Sequence, residues 1–343
     1  GALAKTAKTI DDVGVRLTEE EYKDLATKVA ASDARPISRY MVAEFNLGSR
    51  QQIGEYLQDF GWKPTKFTPH GRPQVDEPIL LGIKGIPEAE LIAEYILLQK
   101  RVAMISGDRG WLHHVRDDGR VHGGVRSNGT ITGRMTHQAP NMAQVPNLGS
   151  LYGKECRECW TAPTGYKLVG VDASQLELRM LAHYMKDKEY INEIVNGDIH
   201  SANQRIAGLE SRNQAKTFIY ALLYGAGDRK LGSVVGGSAS SGKALRRHFF
   251  DNLPAFRTLR DKVTRAAGRG FLKGLDGRKI FVRSEHAALN TLLQSAGALV
   301  MKQALVLYDQ GLSCGGVNLD AGFVANVHDE WQLEVHESCA KEV

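Results

Sequence analysis

Two β-type segments constrain this chain more than anything else in it. YKLVGVDA, residues 166–173, is a short apolar run that ends on an acid, Asp172. A run of that length and kind reads as a buried strand. FVANVHDEWQLEV, residues 323–335, is two alternating runs about a polar centre and reads as a hairpin with Asp329 at its turn. Asp favours turns for its own sake, so neither acid alone marks a site. The pair says more. Two carboxylates held about 4 Å apart repel strongly unless cations sit between them. Hard cations such as magnesium take such oxygens and keep room for phosphates. Two ions so placed suit an in-line phosphoryl transfer. Whether the two acids meet is for the fold to decide.

The remaining segments read mainly as helix. TEEEYKDLATKVAAS carries Thr18 and Glu21 at capping-box spacing. SRQQIGEYLQDFGW and EAELIAEYILLQKRVAMI place apolar residues at helical intervals, with a Pro/Gly-rich connector between them. From about residue 116 to 147 the chain is rich in Gly, Asn, Thr and Pro and suggests short strands and extended loops. SQLELRMLAHYMKD returns to helical periodicity. Residues 190–270 are mostly helical, interrupted at GAGD and at GGSASSG, and 286–311 form a long helix.

Within SRNQAKTFIYALLYGAGD, Arg212, Lys216, Tyr220 and Tyr224 recur every four residues. On a helix each such step drifts by only about 40°, so the four share one broad face. Phe218, Ile219, Leu222 and Leu223 cover another and can pack inward. Cations suit a polyphosphate, and an aromatic ring suits a base or sugar. A solvated basic stripe with snorkelling tyrosines fits the same spacing.

Composition narrows the class. Net charge is +5, from 44 basic and 39 acidic residues, which permits a polyanion partner without requiring one. No apolar run is long enough to span a bilayer, and the N-terminal GALAKTAKTIDD lacks the apolar stretch of a secretory signal. Four cysteines make no disulfide framework at this length. Cys156 and Cys159 form a CxxC pair with no second pair at zinc spacing, and read as buried thiols. GGSASSGKA, residues 236–244, nearly spells a phosphate-binding loop, but Ala244 stands where a Ser or Thr is needed, so it reads as a flexible loop. His113 and His114 read as a surface pair.

Taken together these segments resemble the DNA polymerase I family, family A, with a particular likeness to the replicative polymerases of short-tailed bacteriophages. The residues that carry it are VDASQLELR (171–179), GDIHSANQ (197–204), RNQAKTFIYALLYGAGD (212–228), KGLDGRK (273–279), HAALNTLLQSAGAL (286–299) and VHDE (327–330). TGRMTHQAPNMAQVP (132–146) and EFNLGSRQQI (44–53) extend it upstream. The likeness covers roughly residues 40–335, with the motifs in the family's order.

The resemblance implies an α+β right-hand polymerase fold with an antiparallel-sheet palm, helical fingers and a helical thumb. Residues 1–115 would be a thumb-like helical region, 116–190 palm, 191–275 fingers and 276–343 palm again. No exonuclease domain fits in the N-terminal part, and family members run further beyond the HDE turn than CAKEV. By resemblance, Asp172, Asp329 and the carbonyl of Ala173 are metal ligands, for two Mg2+ ions with Mn2+ as a substitute. Asp172, Asp329 and Lys216 are the catalytic set. Arg212, Lys216, His200, Tyr220, Glu177 and Tyr224 handle the dNTP. Of these, Glu177 excludes a ribose 2′-hydroxyl, and Tyr220 admits dideoxynucleotides where family members with Phe reject them. Arg134, Asn290, Gln294 and His328 contact primer–template DNA, and Glu330 is an acid beside the metals. The implied partners are primer–template DNA and dNTPs, without a membrane; the implied form is a monomer in the host cytoplasm that replicates phage DNA. A single-subunit RNA polymerase, a non-catalytic primer–template binding module and a two-metal nuclease are the competing readings. Glu177 disfavours the first, the full set of acids and phosphate contacts the second, and the 212–224 helix the third.

Overall fold

The structure is a computed structural model and describes residues 45–314 and 320–341. The helix expected around Thr18 lies outside the described residues. The chain divides into two compact units, one to Leu97 and one from Leu98.

In the first unit, α1 (Arg50–Asp59) begins where the Ser49 hydroxyl accepts the Gln52 N–H at 3.3 Å, a side-chain N-cap. Its apolar positions Ile53 and Leu57 are fully buried, one turn apart on one face. They pack with Val75, with Leu80 of α2 (Glu77–Leu80) and with Ile92, Ala93 and Ile96 of α3 (Glu88–Ser106). Both expected helices are present, joined by an irregular connector.

The second unit holds the sheet that matters here. β1 (Gly124–Arg126) and β2 (Thr136–Gln138) make a small antiparallel pair, followed by the short helix α4 (Gly153–Glu158). β3 (Tyr166–Asp172), β6 (Ala321–Val327) and β7 (Glu330–His336) form a three-stranded antiparallel sheet in the order β3–β7–β6. The strand and the hairpin expected from sequence therefore join in one sheet, but β3 lies at its edge and is not the buried strand expected: none of its residues is fully buried, and Leu168 is 40% exposed. One face is apolar: Val169 and Val171 of β3 meet Trp331, Leu333 and Val335 of β7, covered by Leu176 and Met301. The other carries Asp172, Gly170 and Leu168 opposite Glu330, Gln332 and Glu334. Alternation makes this division, because side chains along a strand point to opposite faces. A bulge between Phe323 and Ala325 leaves Val324 exposed.

Helices fill the rest: α5 (Leu176–Met185), α6 (Lys188–Asn196), α7 (Ile199–Ala207), α8 (Arg212–Leu223), α9 (Asp228–Ser233), α10 (Ala239–Asn252) and α11 (Pro254–Ala267). A hairpin, β4 (Phe271–Lys273) with β5 (Lys279–Phe281), leads into α12 (Ala288–Cys314). Phe218, Phe249 and Phe256 are fully buried at the centre, with successive ring centroids 5.3 and 5.5 Å apart in edge-on contact. Gly297 lets α12 approach α5 closely, since a Cβ there would sit 3.0 Å from Leu176. No helix of the described residues is long and apolar enough to cross a membrane.

Two further expectations are corrected. GGSASSGKA is not a flexible loop: from Ala239 it is the first turns of α10. Its glycine is there for packing. A Cβ on Gly242 would lie 1.9 Å from the Asp228 carbonyl oxygen, and one on Gly232 1.9 Å from that of Ser238, so α9 and α10 meet backbone to backbone. The CxxC thiols are not both buried. Cys156 is, but Cys159 follows the last turn of α4, faces solvent and donates to the Glu155 carbonyl at 3.3 Å.

Candidate active site

β3 ends on Asp172, which stands directly opposite Glu330 at the start of β7. Val327 pairs with Glu330, so the β6–β7 turn has only two residues, His328 and Asp329. His328 takes the positive φ, +60°, that such tight turns demand. The Ala173 N–H donates to the Asp329 carbonyl oxygen at 2.8 Å, which ties the chain leaving β3 to the turn. The sheet thus brings Asp172 and Asp329 to one end of two adjacent strands.

Charge accumulates there. Burial, then Glu330, then Glu177 push the Asp172 carboxyl above the usual carboxylate range. Gln332 donates to Glu330 along the same face. Gly170 gives it room, since a Cβ at 170 would lie 2.9 Å from the Gln332 amide nitrogen. Glu177, in the first turn of α5, takes a 2.8 Å bond from Arg134 Nη2. The backbone just before Arg134 is held by Arg278. Arg278 lies over Gly133 and donates to the Thr132 carbonyl at 3.2 Å and to Ser295 Oγ at 3.0 Å.

α8 supplies the opposite charge. It starts with a full capping box, Ser211 and Gln214 exchanging side-chain-to-backbone bonds at 3.2 Å each. Phe218, Ile219, Leu222 and Leu223 are buried, as the spacing requires, while Arg212, Lys216 and Tyr224 are exposed and Tyr220 is half-buried. Burial, then Glu177, raises the Tyr220 phenol, with smaller effects from Tyr224, Asp329 and Asp172. The same ring lies 6.2 Å from that of His200 on α7. The Tyr220 phenol thus feels the acids, while its ring neighbours His200 and its helix carries Arg212 and Lys216. Gly225 ends the helix at φ +74°, against the His286 carbonyl.

Several polar atoms here lack a partner among the described residues: His200 Nδ1, His328 Nδ1 and Asn290 Oδ1. Buried polar atoms are normally paired, so each is a place where a ligand can bond. Burial, then Arg134, lowers the His328 pKa, so its ring is neutral more readily than an ordinary histidine. Gln294 follows Asn290 by one turn on α12 and is half-buried. A narrow crevice beside Arg134 and His328 is completed by Lys302 and Asn326.

Among the described residues no group of three or more His, Cys, Asp and Glu is placed to hold a metal by itself. The donors at the end of the sheet, two carboxylates and the Ala173 carbonyl, are hard oxygens, the set a divalent cation shares with phosphates. The upward push on Asp172 fits a cation as well, which would relieve the crowding of negative charge. A cavity of about 420 Å³ lies elsewhere among the described residues, lined by His113, His114, Arg116, His122 and Gln138. It contains none of the expected site residues, and the chemistry of the carboxylates outweighs its size.

Sequence reasoning missed three contributors: Asp198, which pairs with Arg212; Arg278, which holds the backbone just before Arg134; and Gln332, beside Glu330. Only Asp198 left a local sign, an N-cap residue directly before a helix.

An antiparallel sheet with two acids at one end, and a helix that bears cations and aromatics, define a protein of the polymerase fold class. The chain belongs to DNA polymerase family A, whose profile matches residues 16–343. It is 44% identical over 347 aligned positions to the DNA-directed DNA polymerase of Enterobacteria phage T3, and equally to that of Escherichia phage T7, in each case across 90% of this chain and 49% of the relative. It is 29% identical to DNA polymerase I of Pseudomonas aeruginosa, across 88% of this chain and 35% of that protein. The chain thus spans about half the length of the phage relatives. A solved structure, the POL domain of Pol1 from M. smegmatis in complex with DNA primer-template and dNTP, superposes with a TM-score of 0.75. It is 26% identical, over 93% of this chain and 59% of that one. The α+β class and the polymerase fold follow.

Proposed function

We propose that this chain is the polymerase part of a template-directed DNA polymerase, which extends a primer 3′ end with dNTPs and releases pyrophosphate. One observation carries the reading: Asp172 and Asp329, far apart in sequence, share one end of a sheet whose charge reaches Tyr220 on the cationic helix α8. Family membership and the neighbour's primer-template and dNTP support it.

Two Mg2+ ions, for which Mn2+ would substitute, would be held by Asp172, Asp329 and the Ala173 carbonyl and would supply Lewis-acid activation of the primer hydroxyl and charge neutralisation at the leaving group. The transition state of such a transfer is loose and needs alignment and charge more than covalent chemistry. Arg212, Lys216 and His200 bind the triphosphate, with Lys216 in the catalytic set. Tyr220 lies against the sugar, Glu177 excludes the ribose 2′-hydroxyl, and Tyr224 stands by the template base. Arg134, Asn290, Gln294 and His328 touch primer–template DNA through its minor groove, where acceptors recur in every correct pair. Glu330 shapes the field at Asp172. In this scheme residues 116–190 and 276–343 are palm, 191–275 fingers and 1–115 thumb. The protein works as a monomer on phage DNA in the host cytoplasm.

The test is a labelled primer on a template with magnesium and dNTPs. Lengthening supports the reading. Shortening points to a nuclease, and no change to a binding module. Extension with ribonucleotides in preference to deoxynucleotides points to an RNA polymerase.

A further inference from the structure

Arg212, the first residue of α8, is not free in the structure. Its Nε donates to Asp198 Oδ2 at 2.6 Å and its Nη2 to Asp198 Oδ1 at 3.0 Å. Asp198 is itself pinned. As N-cap of α7 its Oδ1 accepts the His200 N–H at 3.2 Å, and its Oδ2 accepts the Ser201 hydroxyl at 2.6 Å. An ordinary cap needs one of these bonds. Here both oxygens are doubly used, and the fixed carboxylate takes the side edge of the guanidinium.

A guanidinium has five N–H groups in a rigid fork. Side-on pairing through Nε and Nη2 leaves both hydrogens of Nη1 and one of Nη2 unused. Lys216 lies one helical turn further along, exposed. His200 is 4% exposed, and its Nδ1 has no partner among the described residues. The His200 N–H and Arg212 Nη2 both bond Asp198 Oδ1, and after burial Arg212 and then Lys216 act to lower the His200 pKa.

We infer that Asp198 is a positioning residue: it holds the Arg212 guanidinium in place, with its outer edge open, for the polyphosphate of an incoming nucleotide. Two effects oppose each other. Ordering Arg212 beforehand removes rotamer freedom that the ligand would otherwise have to remove on binding. Against this, Asp198 adds a negative charge near the polyphosphate. The pair is about half exposed, with side chains 51% and 38% accessible, so water and salt screen the repulsion. The ordering is not screened. The Arg212 and Ser201 hydrogen bonds also hold the Asp198 carboxyl well below the usual carboxylate range, so the anchor stays charged wherever the protein is folded.

The inference rests on the polymerase reading for the identity of the ligand, and its test separates the two. Calorimetric titration of the whole chain with inorganic tripolyphosphate, without metal or primer, reads the site directly. Asp198→Asn and Asp198→Ser both keep an N-cap. Each is expected to weaken binding about fivefold by releasing Arg212, with an unchanged Tm. Arg212→Ala weakens it further, and adding Asp198→Asn to Arg212→Ala changes nothing more. Equal or tighter binding by the Asp198 variants, or an undiminished loss on top of Arg212→Ala, overturns the inference. In primer extension, Asp198→Asn is expected to raise the dNTP KM with kcat held. A wild-type chain that extends nothing while the tripolyphosphate pattern stands removes only the polymerase reading. Normal extension with equal KM removes only the role of Asp198.

Discussion

The Ala173 N–H and the Asp329 carbonyl oxygen are joined by a 2.8 Å hydrogen bond, so the end of β3 and the β6–β7 turn are one piece of structure. That bond fixes the backbones beneath Asp172 and Asp329 while leaving both carboxylates free. Replacing either acid with Asn keeps the shape and removes a charge. Asp172→Asn and Asp329→Asn should each slow primer extension about a thousandfold or more, the scale expected when charge stabilisation at the reacting centre is lost. Binding of primer–template DNA, read by anisotropy, should stay within about twofold of wild type. Without divalent ions Asp172→Asn should also raise Tm slightly, because partial burial and then the charge of Glu330 disfavour a carboxylate at 172. Scanning fluorimetry in chelator checks the sign.

Tyr220 is half-buried, its ring 6.2 Å from that of His200, and after burial the charge of Glu177 does most to raise its phenol. On the proposed reading its hydroxyl would stand in for a missing sugar 3′-hydroxyl. Wild type should terminate readily on dideoxynucleotides, and Tyr220→Phe should prefer deoxynucleotides by at least about tenfold more, the worth of one lost hydrogen bond. Sequencing ladders from the two proteins measure it. Identical termination would exclude this role for the hydroxyl.

Gly225 combines a left-handed backbone with a close neighbour. Its φ is +74°, and a Cβ would lie 2.4 Å from the His286 carbonyl oxygen. Gly225→Ala should cost about 1 kcal/mol for the backbone and about as much again or more for the clash. Gly270, at φ +83° with nothing within 4 Å, carries only the backbone part. Urea unfolding of the two variants should show Gly225→Ala as clearly the worse.

His200 predicts a pH dependence. Burial, with help from Arg212 and Lys216, lowers its folded pKa, while Asp198 works the other way. Tyr220 packs against it from α8. The unfolded chain then binds the proton more readily, so stability falls as pH drops below about 6.5, through the window down to the folded pKa. Above that window the contribution is complete. The Tm of wild type should fall faster than that of His200→Gln between pH 7 and 5. Parallel curves would show that the ring does not titrate as described.

The parts of this site that are periodic were legible in the sequence. An apolar run ending on Asp172, two alternating runs about Asp329 and a four-residue repeat from Arg212 to Tyr224 each describe one element, and each element formed. What was not legible depends on who sits across from whom. Asp198 and Arg212, or Arg134 and Glu177, belong to different elements, and nothing local in either residue names its partner. GGSASSG misled for a related reason. Gly and Ser ordinarily signal a loop, but here small residues let two helices touch. Local propensity yielded to packing that only the tertiary structure supplies.

The two-residue turn at His328 and Asp329 has a consequence for how such proteins can diverge. Strand side chains alternate, so one residue gained or lost within 327–330 would rotate the acid away from Asp172 and turn the apolar side of β7 outward. At this hairpin the count of residues is as much a part of the site as their identity. A variant library built from insertions and deletions should come back empty there and populated almost everywhere else on the surface.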